Sequence, residues 1–152
     1  MRTIVIGCDN AAVDLKNQLM AYMRSLGYTV ENEGCDSSDD PTMYPAIAER
    51  VCKNIIDSGF SKRGVLVCGT GIGMAMTANK FKGIRAAVGH DIFSAERSIL
   101  SNNGNVICFG ARVIGPELAK HILGTWLPLE FKNGSSTPKV QNMIEIENMN
   151  MK

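Results

Sequence analysis

The stretch VLVCGTGIGMAMTANK, from Val65 to Lys80, decides the architecture. Gly64–Val67 is apolar without alternation, which is the pattern of a strand covered on both faces. Gly69, Gly71 and Gly73 then break the run, and Met74, Met76, Ala78 and Lys80 follow in a segment of good helix formers. A strand that turns straight into a helix is half of a parallel crossover unit, and the same alternation recurs on both sides of it. Upstream, Thr3–Ile6 reads as a strand ended by Gly7. Asn10 reads as the N-cap of a helix with Ala12, Leu15, Leu19, Met23 and Leu26 near one face, and Tyr28–Glu31 as a second strand. NEGCDSSDDPTMYP is a polar loop, after which Pro45 opens a helix where Ile47, Val51 and Ile55 recur at four-residue spacing.

Downstream, Ile84–Val88 and Val106–Phe109 are the last strands. Asp91 caps a helix with Ile92, Ala95 and Ile99 inward, and Gly115-Pro116 opens another with Leu118, Ile122 and Trp126. Lys139–Met149 forms a short terminal helix with a frayed end. Five strands alternating with helices predict an α/β fold. It is a three-layer α-β-α sandwich around a doubly wound, Rossmann-like, five-stranded parallel sheet with a C-terminal helical tail. Residues 1–152 read as a single domain, 129–152 being the tail. Right-handed crossovers bring all strand C-termini to one edge, and ligands bind there.

The chain has 152 residues, enough for one full hydrophobic core. Apolar residues make up 45% and charged residues 20%, as in an ordinary soluble protein. A net charge of +1 without a long basic run gives nucleic acid no electrostatic footprint. No apolar run is long enough to span a membrane. Five cysteines (Cys8, Cys35, Cys52, Cys68, Cys108) form no C-x-x-C pair and no cluster with His90 or His121. That argues against a disulfide framework or a zinc site, and no metal or cofactor is expected. MRTIVIGCDN reads as a strand rather than a signal peptide, so the expected compartment is the reducing cytoplasm.

Three segments end strands at the ligand edge: Gly7–Asn10, Cys68–Gly73 and Gly89–Asp91. Glycines there let a backbone approach a ligand, and the helix that follows offers free N–H groups to a phosphate or an enediolate. The spacing is neither G-x-G-x-x-G nor G-x-x-x-x-G-K-[ST], so it is neither a dinucleotide fingerprint nor a Walker loop. At the mouth of this cradle Cys68 is either a base or nucleophile under the helix dipole, or a small apolar residue filling a strand end. Spacing alone leaves both open. Cys8 reads as such a filler, and Asp9 as a ligand to substrate hydroxyls or a helix cap. His90 is an acid–base candidate, a cap or a surface group, and His121 reads as structural.

The chain resembles the B-type ribose-5-phosphate isomerases and galactose-6-phosphate isomerase subunits. The resemblance runs through IGCDNAAVDLK, MYPAIA (Met43–Ala48), GVLVCGTGIGMAMTANKFKGIRAAV (Gly64–Val88), FSAERS (Phe93–Ser98), GNVICFGARVIGPELAK (Gly104–Lys120) and WLPLEFKNG (Trp126–Gly134). It implies a cofactor-independent aldose–ketose isomerase acting through a cis-enediolate. Cys68 corresponds to the base that moves a proton between C1 and C2, and Thr70 to the residue handling the hydroxyl proton. The turn over Gly69, Gly71, Ile72 and Gly73 corresponds to the donors that hold the enediolate oxygens. Asp9, Asn10, Tyr44 and Asn102 fall at positions lining the sugar pocket. The resemblance also implies a homodimer or dimer of dimers whose sites are shared between subunits, with the tail packing on the partner.

Three positions depart from the family pattern. Asp-His after the first strand is Asp9-Asn10 here. A ring-opening histidine before asparagine is Ser101 before Asn102. The phosphate-binding G-R-H-x-x-R is Gly134-Ser135-Ser136-Thr137-Pro138-Lys139. A lysine point charge does not reproduce a bidentate arginine clamp, though Arg112 could also reach a phosphate. His90 is about three helical turns from Ser101, too far for a direct replacement. The default reading is ribose 5-phosphate isomerisation in the pentose phosphate pathway. The first alternative is a sugar phosphate that stays acyclic, such as a tetrose 4-phosphate, which needs no ring-opening proton shuttle. The second is a sugar-phosphate-binding subunit with little catalysis of its own.

Overall fold

The computed structural model describes residues 1–151. Its elements alternate as β1 (Ile4–Cys8), α1 (Val13–Ser25), β2 (Val30–Asn32), α2 (Tyr44–Asp57), β3 (Arg63–Cys68), α3 (Ile72–Ala78), β4 (Ala86–Val88), α4 (Ile92–Leu100), β5 (Val106–Gly110), α5 (Pro116–Trp126) and α6 (Thr137–Asn150). The strands form one sheet in the order β2-β1-β3-β5-β4, and every pairing is parallel. The three inner strands are buried along their whole length, whereas the edge strands β2 and β4 are partly open.

The pleat sends alternate residues to opposite faces. Ile4, Ile6, Cys8, Val65, Val67, Ile107 and Phe109 face α1, α4 and α5, where Leu19, Ile99, Ile122 and Trp126 complete one core. Val5, Leu66, Cys68, Val106 and Cys108 face α2 and α3, where Ile47, Val51, Ile55 and Met74 complete the other. The predicted three-layer sandwich is therefore the observed one.

Several boundaries differ from the sequence reading, each for a local reason. Gly7 does not end β1, because it pairs with Leu66. Its missing side chain instead lets α2 close in, since a Cβ there would meet Ile47 Cγ2 at 2.7 Å. β2 starts at Val30 because the Tyr28 N–H is still bonded to the Met23 carbonyl of α1. β4 starts at Ala86 because the Ile84 N–H closes a turn onto Phe81 and the Arg85 N–H bonds to Asn105 Oδ1. Leu26, Met76 and Leu118 lie on exposed faces rather than in the core. Ala12, not Asn10, holds the N-cap position of α1. The Asp91 carboxylate caps α4 by accepting from the Ser94 N–H, as the sequence predicts. The terminal helix runs from Thr137 to Asn150, longer than expected. It touches its own chain through the buried Val140 and through Glu147, which accepts from the Gly83 N–H at 3.0 Å.

Candidate active site

β1 and β3 are neighbours in the sheet, yet β1 is followed by a strand on one side and β3 lies on the other. This reversal opens a crevice at their C-terminal ends, where a ligand fits. Asp9 leaves β1 there and its N–H bonds to the Val67 carbonyl. Cys68 ends β3 in register with Gly110 of β5. The Cys68 carbonyl accepts from the Ala111 N–H at 2.8 Å and the Gly69 carbonyl from the Arg112 N–H at 3.0 Å, so β5 braces the glycine turn from behind.

The turn is shaped by what fits around it. Gly71 has φ 78°, in the left-handed region that L side chains avoid, and it starts α3. Its N–H donates to Cys68 Sγ at 3.1 Å, which fixes the sulfur over the turn. Thr70 Oγ1 accepts from the Ile72 N–H at 3.3 Å. Gly110 has no room for a side chain, because a Cβ there would lie 2.5 Å from the Thr70 carbonyl carbon. The Tyr44 ring, from the first turn of α2, covers Gly73 so closely that a Cβ on that glycine would meet it at 2.5 Å. The Arg112 guanidinium lies over Gly69, where an added Cβ would find Nη1 at 3.5 Å. A sulfur, a hydroxyl, a row of backbone N–H groups, a phenol and a guanidinium thus share one crevice.

Asn10 and Asp9 divide their work differently from the sequence reading. Asp9 Oδ1 accepts from the Ala11 N–H and so closes the turn into α1. Asn10 reaches across to the Asp40 carbonyl at 2.9 Å and ties down the loop that leads to Tyr44. His90 sits at this same edge but is neither cap nor free base. Its Nε2 accepts from the Gly110 N–H at 2.8 Å, and burial holds its pKa below the ordinary imidazole value despite Asp91 beside it. Desolvation pushes the Cys8 and Cys52 thiols up to about 12, which suits core fillers. Burial raises Cys108 as well, with Cys68 and Cys52 adding to it.

The sequence reading missed Lys16. Its side chain is fully buried, and Nζ bonds to the Cys35 carbonyl at 2.6 Å, Asp36 Oδ1 at 2.6 Å and Asn32 Oδ1 at 3.1 Å. It pins the other end of the loop that Asn10 holds. The signal was present, because Lys16 falls four residues after Ala12 and three before Leu19, inside the apolar stripe of α1.

Other candidates do not meet the crevice within one chain. α4 starts at the C-terminal edge, runs back antiparallel to the strands, and delivers Ser101 and Asn102 to the opposite edge. There Asn102 lines a cavity with Ile84 and Arg85, which precede β4. Ser135 and Lys139 are exposed around the start of α6, and among the described residues neither side chain bonds to the cradle. Among the described residues, no group of three or more His, Cys, Asp or Glu is placed to hold a metal ion, and no helix is long and apolar enough to cross a membrane.

Comparison with known proteins identifies the family. A family model described as Ribose/Galactose Isomerase matches residues 4–143. The chain is 50% identical over 143 residues to a D-erythrulose-4-phosphate isomerase of Pectobacterium atrosepticum, covering 94% of this chain and 93% of that one. It is 44% identical over 147 residues to a ribose-5-P isomerase B of Listeria innocua, covering 97% and 98%. The solved structure of Clostridium thermocellum ribose-5-phosphate isomerase B superposes with a TM-score of 0.92 at 34% identity, covering 97% of this chain and 99% of that one. With a matching family model, whole-length relatives and a shared five-stranded parallel sheet, the chain belongs to the ribose/galactose isomerase family.

Proposed function

We propose that this isomerase interconverts a tetrose aldose and ketose 4-phosphate, D-erythrose 4-phosphate and D-erythrulose 4-phosphate, without a cofactor. The observation that carries the choice of sugar is Ser101, which stands where the family places a ring-opening imidazole. A hydroxyl does not shuttle protons near neutral pH as an imidazole does. A tetrose esterified at O4 cannot close a five-membered ring and needs no such shuttle. The relative at 50% identity carries a name for the same chemistry.

In the ketose-to-aldose direction, Cys68 Sγ takes a proton from C1 and returns it to C2 of the cis-enediolate. Thr70 passes the hydroxyl proton from O1 to O2. The N–H groups of the Gly69–Gly73 turn other than those of Gly71 and Ile72, which hold Sγ and Oγ1, serve the oxygens where negative charge develops. Asp9 and Tyr44 bind sugar hydroxyls, Asn10 holds the loop over them, and Arg112 takes the phosphate as a fork. Ile72 and Gly73 contribute the first turn of α3.

A second copy of the chain completes the site. Ile72 (54% exposed), Met76 (66%) and Met43 (76%) are apolar and lie around the crevice. An apolar face beside a polar crevice is what a homodimer covers. The partner then brings Ser101, Asn102, Ser135 and Lys139 from its opposite edge, with its α6 packed along the seam. Five free thiols fit a reducing cytoplasm.

Ribose 5-phosphate, with a place in the pentose phosphate pathway, is the second reading. It is favoured by the relative at 44% identity and by the whole-chain likeness to a B-type isomerase structure. The deciding experiment follows deuterium uptake at C2 by NMR in D2O with erythrose 4-phosphate, ribose 5-phosphate and allose 6-phosphate, using wild type and Cys68→Ala. Exchange into erythrose 4-phosphate alone, lost in the variant, is the expected result. Exchange into ribose 5-phosphate at comparable rate would replace the first reading by the second. Exchange that survives in Cys68→Ala would remove the thiol from the mechanism.

A further inference from the structure

We infer that the sheet edge remote from Cys68 carries a second anion site, shaped for the phosphate group of orthophosphate or of a small phosphate monoester. A cavity of about 420 Å³ opens there beneath the starts of β1 and β3. It is of the size that small-molecule sites occupy. Arg2, Arg63 and Arg85 line it, and Glu130 is the single acidic residue beside them.

Arg63 is only 4% exposed. It donates to the Leu129 carbonyl at 2.7 Å, reaches Glu130 Oε2 at 3.4 Å, and stands 5.6 Å from the centre of the Trp126 ring. Arg2 takes both oxygens of the same carboxylate, at 3.3 and 2.7 Å. Arg85 closes the other side, with Nε donating to the Asn103 carbonyl at 2.7 Å. Its Nη groups have no hydrogen-bond partner among the described residues. Glu147 lies on the other side of Arg85, lining the cavity beneath α6, and accepts from the Gly83 N–H.

Arg2 and Arg63 share the one Glu130 carboxylate, which is itself half exposed. Arg85 adds a third positive charge to the same cavity, with Glu147 acting on it from outside that lining. Arginine stays charged, so the excess positive charge cannot be relieved by losing protons. Burial and the neighbouring Arg2 both act against the charge on Arg63. A tetrahedral oxyanion relieves that repulsion, and the planar forks match its oxygens. Phe60 and Phe131 wall the cavity and would flank the carbon skeleton of an ester. The inference is independent of which sugar the isomerase takes.

The test is a residue-resolved NMR titration of the full-length protein, labelled with nitrogen-15, first with sodium phosphate and then with glycerol 1-phosphate. The amides of Gly83, Gly104 and Asn105 report this edge, and those of Gly69, Gly71 and Gly73 report the crevice. The expected result is saturable movement of the first set, with a dissociation constant about tenfold weaker in Arg2→Gln and in Arg85→Lys. It should be unchanged in Arg112→Gln. Arg2 lies at the surface, so its replacement leaves the fold intact. Immobile amides at this edge, or movement that survives both substitutions, would overturn the site. So would movement of both sets with one dissociation constant that Arg2→Gln abolishes together, because the arginines would then serve the isomerase crevice of a neighbouring copy. Movement with glycerol 1-phosphate alone would uphold the site for an ester, and equal movement with sodium phosphate would uphold it for the free ion.

Discussion

Cys68 and Gly110 stand side by side on adjacent strands, and between them they define what the turn can tolerate. Cys68→Ala removes the proposed base, so kcat should fall by about 10²–10⁴-fold while circular dichroism stays native. An assay at full protein concentration checks both. Gly110→Ala touches no reacting atom, yet its methyl would displace Thr70. Its kcat should fall by about 10²-fold with KM changed far less, as expected when a catalytic group is misplaced. An unchanged kcat would show that the turn gives way easily. Cys68, Thr70 and the glycines were legible in the sequence because they lie together on one short motif. Asn10 was not, because its partner Asp40 is thirty residues away and the local pattern offered a helix cap instead.

At the scale of elements, the strand cores were legible and their ends were not. Apolar runs specify burial, but where a strand begins or ends depends on which neighbour offers an acceptor, as Asn105 Oδ1 does for the Arg85 N–H just before β4. The Asp91 cap is a local signal and was read correctly. Asp91→Ala should lower the midpoint of urea titrations, because the Ser94 N–H loses its acceptor. His90 ties the turn after β4 to the end of β5 through Gly110. Its pKa is depressed in the folded protein, so the unfolded chain takes up a proton first as pH falls. Stability from this bond is complete above the ordinary imidazole value and is lost on descending through it toward the depressed folded value. Between pH about 7 and about 5 the urea midpoint should drop more in wild type than in His90→Gln, whose amide oxygen accepts the same N–H. Parallel pH slopes for the two proteins would contradict this.

At the scale of the whole molecule, helix direction separates the candidate residues. The resemblance assigns Asn102 to the sugar pocket and puts Ser101 in the place of a ring-opening histidine, and α4 carries both to the edge opposite Cys68. No local pattern reports that, since it follows from the crossover returning the chain across the sheet. The site proposed above is split between two edges and closes only in the proposed homodimer. Met76→Glu places a charge on the exposed face of α3 and should yield monomers by light scattering, with activity falling in parallel. A fully active monomer would show that one chain suffices.

The graded burial of the cysteines also makes the molecule its own clock. Cys68 is 5% exposed, whereas Cys8, Cys52 and Cys108 are at 0% and Cys35 is at 1%. A thiol reagent added to the native protein should therefore react in two regimes. One sulfur is modified at a rate set by the reagent, and a bound sugar phosphate protects it. The others wait for the sheet and its helices to part, so their modification rate counts how often the fold breathes open, with no cysteine engineered in.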